Sequence, residues 1–135
     1  MRLSYSLFTT FAVVFTSSVT IDAQGVSASV GGNQAHYQLV IHKGEDTTGK
    51  VLSQVTLNCH PTGGSHPHAK QACSALDKAE GDFEKLHNSG GICNFIFDPV
   101  TVTAKGRGFG KKVNFKKTFS NSCVADGETD GVFKF

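Results

Sequence analysis

Four cysteines, Cys59, Cys73, Cys93 and Cys123, constrain this chain more than any other feature, because of what precedes them. Met1-Arg2 supplies a positive start, and Leu3 to Val19 is apolar and hydroxylated without a charge. Ile21-Asp22-Ala23 then offers a cleavage point ending on a small residue, so residues 1–23 read as a secretory signal peptide. The segment is too short and too weakly apolar for a membrane anchor, and no second one follows, so a secreted, extracellular protein without a membrane role is expected. Export places the cysteines where thiols oxidise, and two disulfides are the expectation. What remains makes one domain of about a hundred residues, small enough to benefit from such staples.

Four cysteines admit three pairings. Joining neighbours, Cys59 to Cys73 and Cys93 to Cys123, suits the layout best. The first bridge would tie a loop after a strand to a helix, and the second would tie a glycine-flanked stretch to Asn121-Ser122-Cys123. Chain entropy alone makes such closures worth roughly 3 and 3.7 kcal/mol, a large share of a small domain's stability.

Residues 24–36 are small and polar and read as a mobile lead-in to a domain at 37–135. Tyr37 to His42 and Ser53 to Asn58 alternate apolar with polar residues, as two strands of a hairpin would. Pro67 suits a first helical turn, and Ala69, Ala72, Cys73 and Leu76 then follow a helical period that Gly81 ends. Asp82 can cap a further short turn that points Phe83 and Leu86 the same way. Val100 to Ala104 and Lys112 to Lys116 alternate again around a glycine-rich turn, and Val132 to Phe135 reads as a last strand. The predicted class is α+β, a single domain with an antiparallel sheet of about five strands and helix packed on one face.

Net charge is +2 and stays there when the leader takes Arg2 and Asp22 with it. That is too small to demand a polyanionic partner. Lys105, Arg107, Lys111, Lys112, Lys116 and Lys117 nevertheless form a basic segment without an acid between Pro99 and Ala125. An alternative function follows from it, a secreted binding module using the basic hairpin 105–117 on polyanions. The favoured reading is a solvated hairpin whose lysines guard an edge strand, with no nucleic acid partner. Cys59, His60, His66, His68 and Cys73 invite a metal reading, but exported thiols are expected oxidised and His66-Pro67-His68 lacks ligand spacing. No metal and no cofactor are expected, and the motifs of an enzyme are missing.

The stretch Gly90-Gly91-Ile92-Cys93-Asn94-Phe95-Ile96-Phe97-Asp98-Pro99 is the unusual part. Short apolar runs bounded by turn residues are usually buried strands. A cysteine inside this one suggests instead an exposed loop held stiff by a disulfide and offered to a protease.

Cys59-His60-Pro61, Gly64-Ser65-His66-Pro67, Ala72-Cys73 and Leu76 together resemble the signature of the Streptomyces subtilisin inhibitor family. The likeness continues through Gly81-Asp82, Cys93 with Phe97-Asp98-Pro99-Val100, Phe119-Ser120-Asn121 before Cys123, and Val132-Phe133-Lys134-Phe135. The resemblance implies an inhibitor of subtilisin-like serine proteases, an antiparallel sheet with two helices, the neighbour pairing of the cysteines, and often a homodimer. It places the reactive bond at Phe95–Ile96, with Phe95 as P1, Asn94 as P2, Cys93 as P3, Ile92 as P4, Ile96 as P1′ and Phe97 as P2′. Asn94 stands where the family often has proline. Asn121 takes a position that supports the loop, flanked on the other side by Asp98 and Pro99. An aromatic P1 fits subtilisin-like or chymotrypsin-like targets and not trypsin-like ones, which need a cation there.

Overall fold

A computed structural model describes residues 32–135; the leader and most of the expected lead-in lie outside the described residues. Alternation sets the architecture. Strands β1 (Ala35–Lys43), β2 (Val51–Cys59), β4 (Val100–Gly108) and β5 (Lys111–Phe119), with the two-residue β3 (Gly63–Gly64), form one sheet. Its order is β3-β2-β1-β4-β5, with every neighbouring pair antiparallel. Tyr37, Leu39 and Ile41 of the central strand point inward, as do Leu57, Val102 and Ala104 of its neighbours and Phe115 of the edge strand β5. Helices α1 (Ala69–Lys78) and α2 (Ser122–Glu128) and a 3-10 turn at Phe83–Lys85 complete the domain.

Helix α1 buries Ala72, Cys73, Ala75 and Leu76, the face its periodicity marks out. Cys73 bridges Cys59 at the end of β2, and Cys93 bridges Cys123 in α2, so the neighbour pairing is the one adopted. The helix begins two residues after Pro67, with His68 as its cap. His68 offers no side-chain hydrogen bond there. His66 helps instead: its Nδ1 accepts from the His68 N–H at 2.9 Å, and its Nε2–H donates to the Val132 carbonyl at 2.9 Å. Acceptance at Nδ1 requires the neutral ring. Asp82 caps the 3-10 turn as expected, accepting from the Glu84 N–H at 3.0 Å. Phe83 is thereby held edge-on to Tyr37 (5.1 Å between centroids) and against Phe115 (5.4 Å).

Two expectations fail in register. Val132–Phe135 is not a strand: Val132 and Lys134 donate to the carbonyls of Thr129 and Gly131, so the segment turns. Val132 and Phe133 are both buried, which an alternating strand with one solvent face does not allow. The fifth strand is Gly63–Gly64, too short and too glycine-rich to show in a hydropathy pattern. The second helix of the fold is α2, which no periodicity announced. The first strand also starts at Ala35, inside the segment expected as lead-in.

The Tyr37 hydroxyl is buried without a hydrogen-bond partner, and burial pushes its pKa up to about 12. It lies under Gly108, where a Cβ would come within 1.9 Å of it, so glycine is required at that close approach. Tyr37→Phe removes an unsatisfied polar group, and thermal unfolding is expected to show a change between neutral and about 1 kcal/mol of stabilisation. Gly108→Ala is expected to destabilise by about 1–3 kcal/mol through overpacking.

Burial holds the His66 pKa below its ordinary value, with His68 adding a smaller push and the Val132 carbonyl opposing. A histidine kept neutral by folding contributes stability that is full above the unfolded pKa and is lost as pH falls below about 6.5. Denaturant unfolding measured between pH 7.5 and 5 is expected to show that decline, and His66→Gln is expected to flatten it.

Candidate functional site

Between His87 and Pro99 the backbone forms neither helix nor strand, so its order has to come from side chains and from a neighbouring element. That element is the start of α2. Asn121 caps the helix, its Oδ1 accepting from the Val124 N–H at 2.9 Å. The same side chain donates through Nδ2 to two loop carbonyls, Ile96 at 3.0 Å and Asn94 at 3.3 Å. One buried amide therefore uses both its ends, joining the helix N-terminus to the backbone on either side of Phe95. Cys123, in the first turn of α2, adds the covalent tie to Cys93.

Backbone bonds close the two flanks. The Ser89 N–H donates to the Gly127 carbonyl at 2.9 Å, and the Asp98 N–H donates to the Ser120 carbonyl at 2.9 Å. Pro99 receives the Gly44 N–H at 2.8 Å, which fixes the chain where it re-joins the sheet. The Asp98 carboxylate pairs with the Lys43 ammonium at the end of β1. Within the loop, the Ile96 N–H donates to Asn94 Oδ1 at 3.3 Å. The asparagine at the position where proline was the expected family residue thus bonds across Phe95 to the next amide.

With its backbone held from behind, the loop turns its large apolar side chains out. Phe95 and Ile92 are 105% and 103% exposed, and Ile96 and Phe97 remain well exposed at 64% and 68%. The loop is therefore no buried strand. Four large apolar side chains presented on one tethered segment form the kind of patch that marks a binding surface. Behind it, Asp126 and Lys134 share a cleft with Gly90, Gly91 and the second disulfide; burial raises the Asp126 carboxyl and Lys134 partly offsets this.

The structure brings together Ile92, Cys93, Asn94, Phe95, Ile96, Phe97, Asp98, Pro99, Asn121 and Cys123. Lys43, Ser120 and Gly127 also hold the loop, and no sequence motif identifies them because two contribute only backbone carbonyls. The histidine-rich segment assembles no comparable site: Cys59 and Cys73 are joined, and both His66 nitrogens are engaged. His60 pairs with Asp77 at 2.7 Å on the surface.

Asn121→Ala removes one cap bond and both loop bonds. Caps contribute about 0.5–2 kcal/mol and other hydrogen bonds about 1 each, so thermal unfolding is expected to register a loss of about 2–4 kcal/mol. Asn121→Asp keeps the cap acceptor and is expected to recover about half of it.

Comparison with known proteins gives a concordant result. The sequence pattern of the subtilisin inhibitor-like family matches residues 33–121. Protease inhibitor SIL-V2 of Streptomyces orinoci is 40% identical over 100 residues, spanning 72% of this chain and 92% of that one. Trypsin inhibitor STI2 of Streptomyces longisporus is 40% identical over 102 residues, spanning 72% and 71%. Among solved structures, Streptomyces caespitosus sermetstatin, in complex with Bacillus licheniformis subtilisin, matches with a TM-score of 0.64 and 34% identity. That match covers 76% of this chain and 99% of sermetstatin. With this fold and with a family match across most of the described residues, the chain belongs to the subtilisin inhibitor-like family.

Proposed function

We propose that this protein is a secreted inhibitor of subtilisin-like serine proteases that offers Phe95–Ile96 as a substrate-like peptide bond. The family consists of protease inhibitors and not of enzymes, and sermetstatin was solved on a subtilisin. The observation that carries the assignment of the bond is the clamp on it. Asn121 grips the carbonyls of Asn94 and Ile96 while the Phe95 side chain between them stands fully in solvent.

Phe95 enters the S1 pocket, where burying an aromatic side chain is worth roughly 1.5–3 kcal/mol. Ile92 at P4, Cys93 at P3, Asn94 at P2 and Phe97 at P2′ continue the contact on either side. Because disulfide and hydrogen bonds order the loop beforehand, little conformational entropy is lost on docking. The protease serine attacks the Phe95 carbonyl carbon, and cleavage leaves an acyl-enzyme and a new amine on Ile96. Cys93, Asn121 and Asp98 keep both ends in place, so the amine stays next to the ester and religation outruns hydrolysis. The protein atoms suffice for this, without metal or cofactor. A chymotrypsin-like protease with an apolar S1 pocket is a second target class. Self-association into a homodimer, a common family trait, is the further expectation, tested by sedimentation at micromolar concentration.

Titration against a subtilisin is expected to give tight, stoichiometric inhibition, and titration against a trypsin none; equal inhibition of both would remove Phe95 from P1. Phe95→Asp places a carboxylate in an apolar pocket and is expected to weaken inhibition by about a thousandfold or more. Slow cutting by excess protease, read by mass spectrometry, is expected after Phe95. Asn94→Ala, which loses the bond to the Ile96 N–H, is expected to be cut faster and bind about tenfold more weakly, and Asn94→Pro to restore stiffness.

A further inference from the structure

Most ties on the loop hold atoms that take no part in breaking the Phe95–Ile96 bond. Asn121 grips the carbonyl oxygens of Asn94 and Ile96, and Cys93 is bonded to Cys123. The Asp98 N–H donates to the Ser120 carbonyl, and the Asp98 carboxylate pairs with Lys43. One tie is different. The N–H of Ile96, on the nitrogen that leaves when this bond breaks, donates to Asn94 Oδ1 at 3.3 Å.

Together with the two Asn121 bonds this contact closes a circuit. Asn121 Nδ2 joins the carbonyls on either side of Phe95, at 3.3 Å to Asn94 and 3.0 Å to Ile96. The Asn94 side chain then returns across Phe95 to the Ile96 nitrogen. Ile96 is therefore held at its N–H by one amide and at its carbonyl by another, while the Phe95 side chain stays free in solvent. An asparagine readily bonds the backbone N–H two residues on, and a proline has no side-chain acceptor with which to do so. Where proline was the expected residue, this chain thus carries a group that touches the leaving nitrogen. The contact is exposed in the free protein, where water competes for both partners. A docked protease excludes that water, and the bond strengthens as the local dielectric falls.

We propose that Asn94 positions the leaving amine of Ile96 for religation, so that this side chain sets the balance between cleaved and intact inhibitor. The proposal rests on Phe95–Ile96 being the reactive bond. As the protease serine attacks the Phe95 carbonyl carbon, its proton passes through the protease histidine to the Ile96 nitrogen. The C–N bond breaks and leaves an ester and a primary amine. In the reverse step the amine attacks the ester carbon, the ester C–O bond breaks, and the surplus amine proton returns through the histidine to the serine. Asn94 Oδ1 accepts one amine N–H, which keeps the nitrogen where the broken bond left it. An incoming water gains nothing from that contact. The amide is uncharged, so it holds the amine without favouring the ammonium, which has no lone pair and cannot attack. Other charges leave this role to Asn94. Residues 90–97 contain no acid or base, Asp98 is taken by Lys43, and Glu128 is taken by Lys117. Asp126 and Lys134 lie in the cleft behind Gly90 and Gly91.

The equilibrium ratio of cleaved to intact inhibitor tests this. The intact secreted protein and its variants Asn94→Ala, Asn94→Pro and Asn94→Asp are each held with a catalytic amount of subtilisin between pH 5 and 9. The ratio is approached from the intact and from the cleaved side and read by mass spectrometry. Loss of the acceptor, in the alanine and the proline variant alike, is expected to raise the ratio about fivefold or more at pH 7. The proline variant is expected to bind the protease more tightly than the alanine variant, because its ring stiffens the loop, and still to keep the raised ratio. In every form the ratio climbs as the Ile96 amine loses its proton, ordinarily near pH 8. Asn94→Asp sets a carboxylate against the ammonium, so this climb is expected to move up by about one pH unit. A proline variant with the parent's ratio reduces Asn94 to a stiffener and overturns the proposal. So does an alanine variant with the parent's ratio, or an aspartate variant whose climb stays where the parent's lies. Cutting at a bond other than Phe95–Ile96 overturns the assignment of the reactive bond itself, and the fragment masses tell that failure apart from the others.

Discussion

A single side chain, Asn121, couples the loop to the fold. Its amide accepts from the backbone at the start of α2 and donates to two carbonyls of a segment with no secondary structure of its own. Side-chain amides suit this because they carry donors and an acceptor at opposite ends of a short, rigid group. The helix cap and the loop clamp therefore rise and fall together. The Cys93–Cys123 bridge supplies the covalent half of the junction and restricts how far the loop can travel in the unfolded chain.

Behind the junction, the core gives α2 something to lean on. Tyr37, Phe83, Phe115 and Phe133 form a chain of ring contacts running from the central strand to the C-terminal turn. His66 connects this turn to the start of α1 through its two ring nitrogens. The turn that buries Val132 and Phe133 thus ties the two helices, although it adds no strand. Among the described residues one buried side-chain polar atom, the Tyr37 hydroxyl, is left without a hydrogen-bond partner and is tolerated within this packing.

The two faces of the sheet answer to different requirements. The inner face is filled by aromatic and aliphatic side chains and positions the elements that hold the loop. The outer face carries Lys105, Arg107, Lys112 and Lys116, and the side-chain bonds and the disulfide from Asn121 and Cys123 that hold the loop run elsewhere. The small net charge of +2 conceals this, because the acids lie on turns and helices while the strands hold cations alone.

The cysteine arrangement, the strand alternation from Tyr37 to Lys116 and the helical period from Ala69 to Leu76 were legible in the chain, because local periodicity and a few staples decide them. So was the oddity of an apolar run around Cys93 bounded by glycines and proline. The cysteine within it suggested an exposed loop, and the tertiary structure supplies the bonds that hold it exposed. Hydropathy cannot distinguish a buried strand from a loop held from behind, since the bonds that hold it come from Asn121, Ser120 and Gly127, far along the chain. Tertiary structure also decided the fate of Val132–Phe135, where the adjacent Val132 and Phe133 are both buried, and of α2, whose seven residues show no apolar period. The sorting of lysines between the outer face and the helix side was likewise invisible, because strand register assigns it and no single strand contains that information.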